Sequence, residues 1–196
     1  TDFLVTIGAV DAEIGICPYI TFYMFHNKEE FLDVAQRVIA VFEEFSKLID
    51  EPFQLIWRDK SQTWLKAGHK SLPADLREDA KLAHAEYHMF MLGATDAPNT
   101  SESPRWATWS LVDEHGGMRY SYLKLTFRNK WFQQNKERWY AFVQASLLKL
   151  QPEQCYSGFE VGNGVQNIMG CYEADVLERI CADYFYGMDI DHSSPM

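Results

Sequence analysis

Two stretches of the chain repeat each other at a fixed distance, and this repeat constrains the fold more than any other sequence feature. Phe25-His26-Asn27-Lys28 recurs as Phe127-Arg128-Asn129-Lys130, 102 residues later. The same spacing relates Thr6 to Thr108, Val10-Asp11 to Val112-Asp113 and Gly15 to Gly117. Because the spacing is kept without a gap, the repeat predicts two structurally similar units, about residues 3–94 and 105–186.

Each unit begins with a pattern typical of a β-hairpin. In the first unit, the β-rich runs 4–10 and 19–25 flank a polar turn that contains Asp11, Glu13 and Gly15. In the second unit, runs 106–112 and 119–127 flank His115-Gly116-Gly117, and a glycine pair favours a tight turn between strands. We therefore expect two antiparallel hairpins.

A long amphipathic helix is predicted after each hairpin. Asn27 and Asn129 are suitable N-cap residues, and Pro52 and Pro152 end the two helical patterns. Mostly apolar residues recur at spacings of three and four, which places them on one face of each helix. They are Phe31, Val34, Val38, Phe42, Phe45 and Ile49 in the first helix, and Trp131, Trp139, Phe142, Val143, Ser146 and Leu150 in the second. A strand is predicted after each helix, at residues 53–57 and 156–161.

Shorter elements complete the predicted architecture. Residues 63–67 and 87–94 are predicted strands, and residues 74–86 and 166–184 are predicted helices. Residues 95–104 are rich in Pro, Asn, Ser and Thr and form a loop between the units. The pattern indicates a single α+β domain over residues 1–196, with an antiparallel sheet, helices on one face and two pseudo-repeated β-β-α-β units.

The charge of the chain favours some partners over others. The 18 Lys and Arg residues and 28 Asp and Glu residues give a net charge of −10. Residues 119–149 reverse the balance, since they carry seven basic residues and only Glu137 as an acid. An acidic chain disfavours direct binding to nucleic acid, which depends on phosphate neutralisation, and permits a basic protein partner.

The sequence also indicates a compartment. No apolar run is long enough to cross a bilayer, and the N-terminal residues lack the order of a signal peptide. The four cysteines form no C-x-x-C pair and are predicted to be buried thiols in a reducing environment, with a disulfide as the alternative. We therefore expect a cytoplasmic protein with no membrane partner.

Motifs for catalysis, metal binding or cofactor binding are incomplete. The segment 161–167 lacks the third glycine of a dinucleotide fingerprint, and no nucleophile motif occurs. His84 and His88 lie one helical turn apart, as zinc ligands often do, but the H-E-x-x-H order is absent. Asp189 and Asp191 follow Gly187, so they belong either to a helix exit or to a carboxylate metal site. We expect no cofactor, no metal and no catalytic residue.

Six tryptophans could stack a ligand, but tryptophans on strands and on apolar helix faces more often belong to the core. They are Trp57, Trp64, Trp106, Trp109, Trp131 and Trp139.

The C-terminal sequence resembles a family signature. Residues 184–195, Tyr-Phe-Tyr-Gly-Met-Asp-Ile-Asp-His-Ser-Ser-Pro, are similar to the Y-P-G-L-D-(V/I)-D-x-P segment of the TsiV-like type VI secretion immunity family. Residues 155–160 resemble the G-Y-(A/S)-G strand of that family. The matching positions include Gly158, Gly187, Asp189 and Asp191, whereas residues 185–186 and 192–194 depart from the pattern. Family members usually continue beyond this segment, so the resemblance implies a missing C-terminal continuation.

The resemblance implies an immunity protein. Such antitoxins bind a cognate toxin of the type VI secretion system and occlude its active or substrate-binding site, and some of these toxins are nucleases. A basic nuclease groove would attract carboxylates on the loops of an acidic inhibitor. The expected partner-binding residues are Asp11, Glu13, Asp96, Glu102, Asp113 and Glu114. The alternative is a small hydrolase or transferase that uses a carboxylate or metal site at Asp189 and Asp191.

Overall fold

A computed structural model describes residues 3–7, 12–67, 72–86, 88–100, 102–114 and 121–161. The strands are β1 (Phe3–Ile7), β2 (Ala12–Met24), β3 (Leu55–Arg58), β4 (Thr63–Lys66), β5 (Met89–Thr95), β6 (Ala107–Asp113), β7 (Ser121–Thr126) and β8 (Gln154–Val161). The helices are α1 (Phe31–Leu48), α2 (Leu72–Glu86), α3 (Asn129–Gln134) and α4 (Lys136–Leu150). Short 3₁₀ turns at Lys28–Glu30 and Asp59–Ser61 precede α1 and separate β3 from β4. The predicted helix at 166–184 lies outside the described residues.

The strands form one antiparallel sheet. Its order is β1-β2-β7-β6-β5-β3-β4, and β8 also pairs with β2. The long strand β2 has three partners: residues 12–16 pair with β1, residues 19–24 with β7 and residues 16–23 with β8. Strand β2 therefore joins parts of the chain that are distant in sequence.

The helices cover one face of the sheet. Helix α1 packs between α2 and α4, while α2 contacts β5, α1 contacts β6 and α4 contacts β2. The Phe45 and Phe142 rings meet at 5.9 Å, and the Arg37 guanidinium donates to the Leu150 carbonyl at 3.2 Å. These contacts confirm the predicted α+β class with helices on one face.

The amphipathic pattern of α1 accounts for its central place. Eight of its residues are buried, among them Phe31, Val38 and Phe45, which are fully enclosed. Each such side chain contributes roughly 1.5–3 kcal/mol on burial, so α1 is integral to the core. Glu30 assists the helix start, because its carboxylate accepts the Asn27 backbone N–H at 2.9 Å.

The second long helix departs from the prediction, because it is broken at Asn135. The Asn135 side-chain amide donates to the Trp131 carbonyl at 2.9 Å and ends α3, while the Asn135 carbonyl accepts the Trp139 N–H at 2.9 Å and starts α4. Asparagine side chains compete in this way with the helical ladder. Asn129 is also the first helical residue, and the N-cap is Arg128.

The element order hairpin, helix, strand occurs twice, as β1-β2-α1-β3 and as β6-β7-α3/α4-β8. The paired segments of β2 and β7, residues 19–24 and 121–126, are themselves related by the 102-residue spacing. Superposition of the two units stays a prediction.

Candidate functional site

Two of the predicted partner-binding residues are buried. Asp113 ends β6 and Glu114 follows it, and they are 6% and 5% exposed. The prediction that both present their carboxylates on an exposed turn is wrong, because both residues are buried and Glu114 pairs with Lys28 in the turn before α1. A carboxylate this enclosed cannot form a rim contact with a protein partner.

Glu114 is the centre of a compact polar cluster. Its carboxylate lies 2.7 Å from His88 Nδ1, 3.3 Å from His84 Nδ1 and 3.1 Å from Lys28 Nζ. Burial raises the pKa of Glu114, but hydrogen bonds and charges from His88 and Lys28 outweigh it and lower the pKa to about 2. Glu114 is therefore an anion that ties β6 to the end of α2 and to the turn before α1.

A groove of about 440 Å³ opens beside this cluster, and residues 25–29, His88 and Glu114 line it. His88 has a positive φ of 56°, a conformation that non-glycine residues seldom adopt. On the opposite wall His26 Nε2 lies 2.7 Å from the Ser121 hydroxyl, and Ser121 is 1% exposed. Ser121 Oγ also accepts the Asp113 N–H at 3.0 Å. The His26–Ser121 contact therefore links His26 to the end of β6 and fixes this side of the groove.

The remaining loop acids differ from one another. Asp96 Oδ1 accepts the N–H groups of Arg105 and Trp106 at 2.8 and 3.0 Å, so Asp96 holds its own loop closed. Glu102 is exposed, and its carboxylate accepts a hydrogen bond from the Asn99 side-chain amide. Glu13 lies within β2, opposite Thr6, so the prediction that it belongs to the turn of the first hairpin is wrong. Asp11 lies outside the described residues.

The family-motif positions are only partly described. Gly158 lies in β8 opposite Tyr19. Gly187, Asp189 and Asp191 lie outside the described residues.

The open face of the sheet, opposite the helices, carries aligned aromatic residues. One cross-strand row runs from β4 to β8 through paired residues: Trp64, Trp57, Gly93, Trp109, Lys124, Thr21 and Tyr156. The next row contains Met91, Leu111, Tyr122 and Tyr23. We call the set Tyr23, Trp57, Trp64, Trp109, Tyr122 and Tyr156 the aromatic face.

Three tryptophans form the compact part of this face. Their ring centroids are 5.9 Å (Trp57–Trp64), 6.0 Å (Trp64–Trp109) and 6.3 Å (Trp57–Trp109) apart. The rings close over Gly93, where a Cβ would lie 2.5 Å from Trp109 and 2.8 Å from Trp64. All three remain partly exposed, and Tyr156 is 54% exposed. The sequence could not indicate this cluster, because it comes from the pairing of four strands and not from any local motif.

No metal centre emerges from the part of the chain that the structure describes, since no three His, Cys, Asp or Glu side chains there are placed to hold an ion. In the Glu114 cluster, both histidines direct Nδ1 at one carboxylate. Among the described residues, no helix has the length and apolarity needed to cross a membrane.

Comparisons with known proteins give a likeness in fold. No protein-family model matches the chain, and neither does any curated protein. The solved structure of a type VI secretion system (T6SS) protein from Pseudomonas aeruginosa is similar, with 15% identity and a TM-score of 0.64. The likeness covers 82% of this chain and 45% of the other, so this chain spans less than half the length of that protein. At this identity the likeness concerns the fold, and the TsiV-like resemblance stays a prediction.

Proposed function

We propose that this chain is a cytoplasmic immunity protein that binds and neutralises a cognate type VI secretion toxin. The observation that carries the proposal is the fold likeness to a T6SS protein over 82% of the chain. The TsiV-like motifs at residues 155–160 and 184–195 support the narrower role of an antitoxin.

The described surface suits binding. The polar cluster beside the groove buries the Glu114 carboxylate, whose side chain is 2% exposed, against Lys28, His84 and His88. On the aromatic face Tyr122 is buried, whereas its other five residues are partly or largely exposed on the sheet. Trp and Tyr dominate the energetic centres of protein interfaces, and a sheet holds them in place without an ordering cost.

The net charge suits a basic toxin such as a nuclease. A groove that holds phosphate is positively charged, and a chain of net charge −10 is attracted to it. Of the predicted loop acids, Glu102 is exposed. Asp11 and the strand residue Glu13 remain candidates for this contact. Together they would help to occlude the groove.

The test is co-expression with the toxin encoded beside the gene for this chain. We expect restored growth, a stoichiometric complex and loss of DNA cleavage by the purified toxin. An unrelated acidic protein of similar size is the control for charge alone. A toxin that neither binds nor is inhibited would refute the proposal, and so would small-molecule turnover that disappears in Asp189→Ala or Asp191→Ala.

A further inference from the structure

We infer that the aromatic face is the surface that contacts the toxin, and that its complement is an apolar side chain flanked by carboxylates. The inference rests on the proposed function. It places the energetic centre of the complex outside the basic groove of the toxin, while the exposed loop acids serve attraction and occlusion.

Trp57, Trp64 and Trp109 hold one another in fixed positions, and we call this tryptophan cluster the platform. Gly93 leaves the space that the Trp64 and Trp109 rings occupy, and Trp57 closes the cluster from the side. Asp59 lies beneath Trp57 and is held by Gln62, whose amide donates to Asp59 Oδ1 at 3.0 Å. Burial raises the pKa of Asp59, and nearby donor groups of Trp57, the Met91 backbone and Gln62 only partly offset it. Pre-organised rings of this kind lose little freedom when a partner binds.

The charge around the platform is opposite to that of the whole chain. Lys66 follows Trp64 by two residues on the same face of β4, and Lys60 lies in the turn beside it, and both are exposed. Among the described residues, the acid on this face is Glu160, which forms an ion pair with Lys124 and accepts a hydrogen bond from the Thr126 hydroxyl. The rim of the platform is therefore cationic, and carboxylates on the partner complement it.

The first test removes part of the platform. Trp64 lies on a short edge strand, so Trp64→Ala leaves the central strands intact. In the complex with the toxin we expect about 30-fold weaker binding, the effect of losing an aromatic interface anchor. The matched control is Tyr140→Ala on α4, an aromatic residue that is 60% exposed on the helical side. Toxin affinity unchanged in Trp64→Ala would overturn the inference while leaving the proposed function in place.

The second test asks whether a charge change makes toxin binding weaker or tighter. Lys60→Glu with Lys66→Glu makes the chain more acidic, so general attraction to a basic toxin would strengthen binding. The inference expects weaker binding instead, by roughly fivefold for each ion pair lost. Lys136→Glu with Lys149→Glu on α4, at two exposed positions, makes the same change in net charge and is the control for net charge alone. Tighter binding by the double variant would contradict the cationic rim.

The third test needs no toxin. The peptides acetyl-Asp-Trp-Asp-amide and acetyl-Lys-Trp-Lys-amide are titrated into the ¹⁵N-labelled protein while the six indole N–H signals are followed by NMR. We expect the acidic peptide to shift the Trp57, Trp64 and Trp109 signals at lower concentration than the basic one. Equal response to both peptides, or none to either, would refute the inference whatever the toxin does.

Discussion

At the residue scale, Glu114 shows how a buried carboxylate is kept ionised. Its pKa is lowered from 4.5 to about 2, so it binds a proton less readily in the folded state than in the unfolded chain. The stabilisation is fully present above the unfolded value and is lost as the pH falls from about 4.5 towards 2. The upper end of this window is the pKa of Glu114 in the unfolded chain, and the lower end is its pKa in the folded protein.

Glu114→Gln should remove this acid dependence. We expect a flatter fall of the free energy of unfolding over that pH window, and a loss of about 1–3 kcal/mol at neutral pH from the broken charged hydrogen bonds. Urea unfolding at several pH values measures both. Glu137→Gln, at an exposed site on α4, should keep the wild-type pH profile. A Glu114→Gln profile that parallels the wild-type profile would show that other carboxylates dominate acid unfolding.

At the element scale, Gly93 sets the spacing of the tryptophans on β3, β4 and β6. Gly93→Ala places a methyl group within 2.8 Å of two indole rings, which must then move. We expect a loss of about 1–3 kcal/mol by overpacking and a changed near-ultraviolet circular dichroism signal. Introduced into Trp109→Ala, the same substitution should cost clearly less, because the closest ring atoms are gone. An equal loss of unfolding free energy in both backgrounds would show that the effect of Gly93→Ala does not arise from contact with the Trp109 ring.

The elements were predictable because their signals are local. Apolar periodicity predicted α1, and β-rich runs predicted both hairpins, although Glu13 and Gly15 lie in β2 and not in the predicted turn. The break at Asn135 was missed because a side-chain hydrogen bond to Trp131 overrides an otherwise continuous helical pattern. The site was less predictable, since the burial of Glu114 and the meeting of Trp57, Trp64 and Trp109 depend on which strands pair. Sequence spacing carries no record of that pairing.

At the scale of the whole molecule, the two predicted units share one sheet. The β2–β7 pair joins them at the centre, and β8 of the second unit pairs with β2 of the first. We expect residues 1–100 and 101–196 to be unfolded when expressed separately and to form a folded complex when co-expressed. Dispersion of amide signals in NMR spectra measures this. A dispersed spectrum from residues 1–100 alone would show that the first unit is an independent domain.

The pairing of β2 also determines when this strand can fold during translation. Ser157 donates to the Tyr19 carbonyl across 138 residues, and residues 19–23 of β2 pair with β7 and β8, which both leave the ribosome long after β2 itself. At about 5–20 residues per second, this part of β2 waits roughly 5–30 seconds without its partner strands and with exposed aromatic side chains. During that interval the nascent chain is a substrate for ribosome-associated chaperones and is prone to aggregation. Output of the protein in the cell should therefore depend on the rate of translation and on chaperone supply as much as on the stability of the finished fold.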